Sequence, residues 1–225
     1  MKRTKLIDRK LPGYTKGEEI FNMVSHIVGG AFGIIALATC VIYSFLYSDV
    51  YGIVSSFIYG VSLVLLYTMS SIYHGLKNET AKKVFQIIDH CTIFILIAGT
   101  YTPIALHSIR KVNPITGWAV FGIVWAVTTL GIVLNAIDLK KYSVFSMISY
   151  IGLGWCIILT GKTTIAAIPK TALIYILIGG ASYTVGAVFY VIAKKKKIRY
   201  VHSVFHLFVL AGSILHFFGI LLYIL

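Results

Sequence analysis

The chain of 225 residues is 58% hydrophobic and 12% charged. A soluble domain covers itself with roughly 25% charged residues, so a water-exposed globular fold is excluded and lipid must face most of the surface. The formal net charge of +13 falls in clusters between apolar runs, which is how orientation in a membrane is encoded; it gives no ground for nucleic-acid binding.

Spans of ~20 apolar residues divide the chain into a basic tail, residues 1–17, and a single seven-helix transmembrane domain, 18–225. Thr15 with Glu18 forms a capping-box pattern that starts the first helix near residue 16; the span is expected over 20–47 and is read as a retained helix, too long for a signal-peptide core. Asp49 lies in a short turn before the second span, 51–74. The polar stretch 75–83 leads to the third span, 86–106, which Pro103 kinks or closes. Asn113-Pro114 pairs an N-cap with proline at the first helical position and opens the fourth span, 114–135. Ser143 is expected to cap the fifth, 143–160. Pro169 and Thr171 open the sixth, 171–193, and a basic loop through Lys194–Lys197 and Arg199 precedes the seventh, 201–225. The glycines of Gly29-Gly30-x-x-Gly33 and Gly179-Gly180 suit close helix approach. Cys40, Cys91 and Cys156 all sit within apolar runs and read as small core residues, with no disulfide and no thiolate metal site.

With seven spans, the N-terminus shares one side of the membrane with the second, fourth and sixth loops. That side carries 16 of the 20 Lys and Arg residues; the other carries Arg110, Lys111, Lys162 and Lys170. The bias places the N-terminus in the cytoplasm and the C-terminus outside.

Six of the seven acidic residues occupy the tail, loops or helix starts; Asp89 alone sits a turn inside a span, where a charge costs roughly 2.5–3.5 kcal/mol on insertion scales. His74 ends the second span, and His202 and His206 lie in the first turns of the seventh. The topology brings all four to one membrane depth. His202 and His206 are spaced i, i+4 and share a helix face, and Ser70 lies one turn below His74. Three imidazoles from two helices could occupy three corners of a Zn²⁺ tetrahedron and leave one open, the pattern of catalytic zinc. Asp89 could then hold or deprotonate a water, with Ser70 bonding Asp89, the water or a substrate oxygen. The competing reading is that these are polar helix ends that snorkel or bond a neighbouring helix, and His-x-x-x-His spacing by itself is weak. His90 faces ~100° from Asp89 and is expected to bond a neighbour. His107 is expected at the outer interface, and His216, ~15 Å further along its helix than His206, in an interhelical hydrogen bond. His26 has the right depth for a structural or supporting role.

Four stretches then carry a resemblance: Glu19-Ile-Phe-Asn22-Met-Val-Ser25-His26; Ser70-Ser-Ile-Tyr-His74; Asp89-His90-x-x-Ile-Phe-x-x-Ile-Ala-Gly-Thr-Tyr-Thr-Pro103; and His202-Ser-Val-Phe-His206 followed by Ala211-Gly-Ser-Ile-Leu-His216-Phe. Together they resemble the hemolysin III family, the bacterial branch of the progestin and adipoQ receptor (PAQR) superfamily, over residues 17–225. The resemblance implies zinc on His74, His202 and His206, Asp89 at the zinc-bound water, Ser70 in support, and an inside-N, outside-C topology. The long N-terminal region of the eukaryotic receptors is missing, which argues against a receptor role.

The favoured expectation is a Zn²⁺-dependent hydrolase of a lipid amide or ester in the cell (plasma) membrane, with membrane lipid as substrate or ligand and oligomers allowed. The alternatives are a cytolytic, hemolysin-like protein, a receptor-like sensor with structural zinc, and a transporter, the last disfavoured because little polar chemistry crosses the bilayer.

Overall fold

The computed structural model describes residues 3–196 and 198–225; Lys2 and Lys197, both counted among the cytoplasmic cations, lie outside the described residues. The fold is all helical, with seven helices among the described residues long and apolar enough to cross a membrane: α1 Lys16–Tyr47, α2 Val50–Gly75, α3 Glu79–Val112, α4 Pro114–Asp138, α5 Ser143–Ala167, α6 Lys170–Lys196 and α7 Val201–Tyr223. Large apolar side chains such as Ile34, Ile42 and Phe45 on α1 and Ile174 and Val188 on α6 stay exposed on the outside of the bundle. A surface of that kind belongs in lipid, and the protein is a multi-pass membrane protein.

Helix starts follow local chemistry. The Thr15–Glu18 capping box forms in full, with the Glu18 carboxylate accepting the Thr15 amide at 2.8 Å and the Thr15 hydroxyl accepting the Glu18 amide at 3.3 Å. Asp49 caps α2 through the Gly52 amide at 2.9 Å, and Asn113 caps α4 through the Thr116 amide at 3.0 Å. Asn78 caps α3 through Ala81, so α3 begins at Glu79, earlier than its apolar run, because the cap and a first polar turn lie ahead of the lipid-facing residues.

Three details depart from the sequence reading. Pro103 does not close the third helix near Leu106. It opens a π-helical stretch, Pro103–Ile109, and the helix continues to Val112; lengthening the hydrogen-bonded ring locally accommodates the missing N–H and the ring clash that end a regular α-helix. Ser143 is the first helical residue of α5 and caps nothing: its hydroxyl donates to the Lys140 carbonyl at 3.0 Å, while Asp138 takes the amides of Lys140 and Lys141, both at 3.1 Å. α5 also does not stop at Thr160; a 3₁₀ stretch, Cys156–Thr160, joins it to Gly161–Ala167.

The core is built on α1, α2, α3 and α7, around Tyr59, Leu63, Tyr67, Phe94 and Ile220. Tyr67 on α2 donates to Ser213 on α7 at 2.6 Å, and Tyr183 on α6 meets the same hydroxyl at 2.8 Å, so one buried serine ties three helices. Of the paired glycines only the first of each is essential to packing: a Cβ at Gly29 would enter the Tyr67 ring and one at Gly179 the His216 ring, whereas Gly30 and Gly180 have room. α5 packs sparsely on α3 and α6, and the main cavity opens along that seam. The segment before α1 is more than a polar tail. It crosses the end of the bundle as a strap, fixed by Thr4 to Asp138 at 2.7 Å and by Lys83 to the Ile7 carbonyl at 3.1 Å.

Candidate metal centre

Two helices deliver the three imidazoles, and a third fixes where they meet. His74 comes from the last turn of α2. His202 and His206 come from the start of α7, whose lead-in residue Tyr200 has φ 60, a left-handed conformation that non-glycine residues seldom adopt. The Tyr200 amide donates to Glu18 at 2.7 Å. A single carboxylate therefore caps α1 and holds the entry to α7.

His74, His202 and His206 are all buried, and one nitrogen from each lies within 4.8 Å of the others. The Nε2 atoms of His202 and His206 are 3.1 Å apart. A tetrahedral ion with Zn–N of 2.0–2.1 Å sets its ligand nitrogens about 3.3 Å apart, so this pair already has nearly the required spacing. His74 Nδ1 donates to the Glu19 carboxylate at 2.7 Å, and the second Glu19 oxygen binds Lys82 at 2.8 Å. The His74 ring is thereby oriented and its buried Nε2 left without a partner. A histidine held by a carboxylate on one nitrogen and free on the other is the usual arrangement of a metal ligand. The residues present fit a divalent cation.

His26, whose sequence gave it only depth, stacks on His206 with ring centroids 3.8 Å apart and meets Tyr67 edge-on at 5.1 Å; neither of its nitrogens has a partner. Asn22, one turn before it, accepts the Ser203 hydroxyl at 2.7 Å and locks α1 to α7 beside the cluster. Tyr14, from the strap, stacks on His202 at 4.9 Å. Burial pushes the Tyr14 phenol well above its ordinary pKa, and Tyr73, Tyr190, Glu19 and Asp89 act in the same sense, so it stays neutral over the site.

Ser70 is buried one turn below His74, and Ser70, Asp89, His202 and His206 all line one cavity of about 980 Å³. Asp89 lies on the cavity wall and outside the three-nitrogen cluster; His90 Nδ1 is 3.7 Å from its carboxylate. His90 donates to the Gln86 carbonyl one turn back on its own helix at 2.8 Å and faces the Tyr190 hydroxyl of α6 at 3.4 Å, and His216 donates to the Ile176 carbonyl at 3.0 Å, the interhelical bond expected of it. His107, expected at the outer interface, is buried at that end of α3 between Asp49 and Lys111, at 3.2 and 3.0 Å.

Sequence reasoning gives His26 a structural or supporting role but misses Glu19, Asn22 and Tyr14. Glu19, Asn22 and His26 fall in one stretch at i, i+3 and i+7, one helix face, and that periodicity was the available signal.

A protein of Bacillus subtilis (strain 168) named Hemolysin-3 homolog is 36% identical over 210 residues, 93% of this chain and 96% of its own length. Hemolysin-3 of Bacillus cereus is 35% identical over 208 residues, 92% of each chain. The human monocyte to macrophage differentiation factor is 23% identical over 183 residues, 78% of this chain and 73% of its own. The model of the family described as Haemolysin-III related matches residues 14–217, which take in the strap residue Tyr14, Glu19, and every histidine of the cluster; this chain belongs to the haemolysin-III related family.

Proposed function

We propose that the chain is a Zn²⁺-dependent hydrolase of a lipid amide or ester, seated in the cell membrane with its N-terminus in the cytoplasm. One observation carries this reading: three buried imidazoles with converging nitrogens border a cavity that also holds Asp89 and Ser70. The excess of cations beside the strap and the even-numbered loops supports the orientation.

His74, His202 and His206 would hold the ion, and Glu19 keeps the His74 ring in register. Bound zinc supplies Lewis acidity and makes water a nucleophile at neutral pH. Asp89 accepts the proton that the attacking water gives up as its oxygen bonds the acyl carbon. It then returns that proton to the leaving nitrogen or oxygen as the old bond breaks, releasing a carboxylic acid with an amine or alcohol. Ser70 donates to Asp89 or to the substrate carbonyl. Tyr14 covers the cluster on the strap side and limits entry of bulk water. The apolar cavity wall along Leu96, Ile97 and Val209 receives the acyl chain.

The test is zinc per chain by elemental analysis of purified protein, followed by a screen of lipid amides and esters. About one zinc, absent from His202→Ala, with turnover of at least one lipid supports the reading. A folded protein without metal refutes it, and zinc with no turnover but a large loss of thermal stability on chelation favours a structural, sensor-like role.

A second reading, cytolysis, is favoured by the names of the Bacillus relatives. Liposomes containing the purified protein and a trapped dye address it: dye retention at every protein density counts against it.

A further inference from the structure

The strap carries a buried cation that this chemistry does not use. Arg9 is 9% exposed and lines the cavity. Its Nη1 is enclosed without a hydrogen bond, and no carboxylate forms an ion pair with it among the described residues. Asp138 lies close enough for its charge to favour the guanidinium, while burial works the other way and lowers the Arg9 pKa. Asp138 is already committed, however, to the amides of Thr4, Lys140 and Lys141. A guanidinium stays ionised and presents a rigid fork of donors matched to phosphate. Enclosing one unpaired is costly, so an anion is the expected complement.

The surroundings select the anion. Lys10, Lys140, Lys194 and Arg199, all exposed, stand on the same cavity wall. The acids there are Asp8, Glu18 and Asp89, and Glu18 is spent on Thr15 and Tyr200. One end of the cavity is therefore cationic, and the other, some 15–20 Å along α3 and α7 by helical rise, is apolar. That polarity is the complement of an anionic amphiphile.

We infer that Arg9 and the cations around it bind the phosphate of a net-anionic lipid headgroup whose acyl chain fills the apolar part of the same cavity. Arg9 makes the two-pronged contact, and the lysines add attraction without geometry. On the hydrolase reading this names the substrate class, an anionic phospholipid-like amide or ester; the binding itself needs no metal.

The experiment measures binding of fluorescent phosphatidylglycerol and phosphatidylcholine to the purified full chain in neutral detergent, with metal content read in parallel. Wild type should prefer phosphatidylglycerol by about tenfold or more, because both lipids offer the phosphate that Arg9 contacts while the choline ammonium of the second is repelled by Lys10, Lys140, Lys194 and Arg199. Arg9→Gln should weaken binding of both lipids by about tenfold, the value of charged hydrogen bonds to one phosphate, and keep its metal, and Arg9→Lys should recover part of the loss. Lys77→Gln, which removes an exposed cation away from the cavity, should change nothing. Inorganic phosphate should compete only far above the lipid concentration; competition at equal concentration overturns the lipid assignment. Equal losses in Arg9→Gln and Lys77→Gln, or no headgroup preference in wild type, overturn the site. Should Arg9→Gln fail to fold, the wild-type preference and the Arg9→Lys value still decide. Headgroup preference without bound zinc would sink the hydrolase and leave this site standing; zinc and turnover without headgroup preference would do the reverse.

Discussion

Two buried histidines at opposite ends of the bundle each lean on a carboxylate, and they serve different ends. His107, at the far end of α3, has Nδ1 on Asp49 and Nε2 against Lys111, so both nitrogens are used. His74, at the end of α2, has Nδ1 on Glu19 and an enclosed Nε2 with nothing opposite it except two further imidazoles. The first is a closed network that ties α2 to α3. The second is open by one coordination position at each ring. Since buried polar atoms are paired almost without exception in folded proteins, several unpaired nitrogens in one place mark where something else belongs.

The sharpest way to break this comparison is to delete a ring from each end. His206→Ala should abolish metal binding, taking the zinc content from about one per chain to none. His107→Ala should leave metal content unchanged and lower only the thermal midpoint. Equal metal loss in both variants would mean that the cluster is not the site. Next in size, Asp89→Asn should keep its zinc and lose a factor of about 10²–10⁴ in lipid hydrolysis, the usual contribution of a positioned acid–base group; full activity with zinc bound would remove Asp89 from the mechanism.

Glu19→Gln separates orientation from ligation. Outer partners of metal-bound histidines are typically worth 10–100-fold in metal affinity, so zinc should bind, more weakly by about that factor, in a competition titration with a chelator. An unchanged affinity would reduce Glu19 to a salt-bridge partner of Lys82. The smallest effect belongs to the other end. Asp49→Ala removes a helix cap and should cost about 1 kcal/mol, with zinc unaffected. Despite partial burial, the Gly52 amide and the charges of His107 and Lys111 hold the Asp49 carboxyl below the usual carboxylate range. Its folded pKa is thus lower than its unfolded one. The contribution is complete above the unfolded value and fades as pH falls through the folded value, so acid unfolding of wild type and Asp49→Ala should converge below about pH 4.

Much of this was legible in the chain because the bilayer leaves few choices. Spans, the Thr15–Glu18 cap and the Asn113-Pro114 start depend on residues adjacent in sequence. The depth shared by His74, His202 and His206 follows from counting spans. What escaped depends on residues distant in sequence. Glu19 reads as an acid suited to a helix N-terminus, and nothing near it announces a partner 55 residues away. His26 lacks a companion at i+4, and its contact with His206 exists only once α1 and α7 pack. The strap was read as a tail because Arg9 and Tyr14 sit among polar residues, although both end up against the cavity. Pro103 reads as a kink or a close, and the π-helical detour that carries the helix past it leaves no mark in sequence.

The Glu18 clasp has a consequence for biosynthesis. Ribosomes deliver α1 first and α7 last, yet Glu18 completes its bonding only when the Tyr200 amide arrives, and the imidazole set is whole only after His206 has emerged. A nascent chain holding α1 to α6 has His74 and its orienting carboxylate but just one of the three imidazoles. On the proposed zinc reading, metal capture is confined to finished chains: the last helix to leave the ribosome is the one that completes the site, and a chain truncated before it reaches the membrane with a single imidazole of the set.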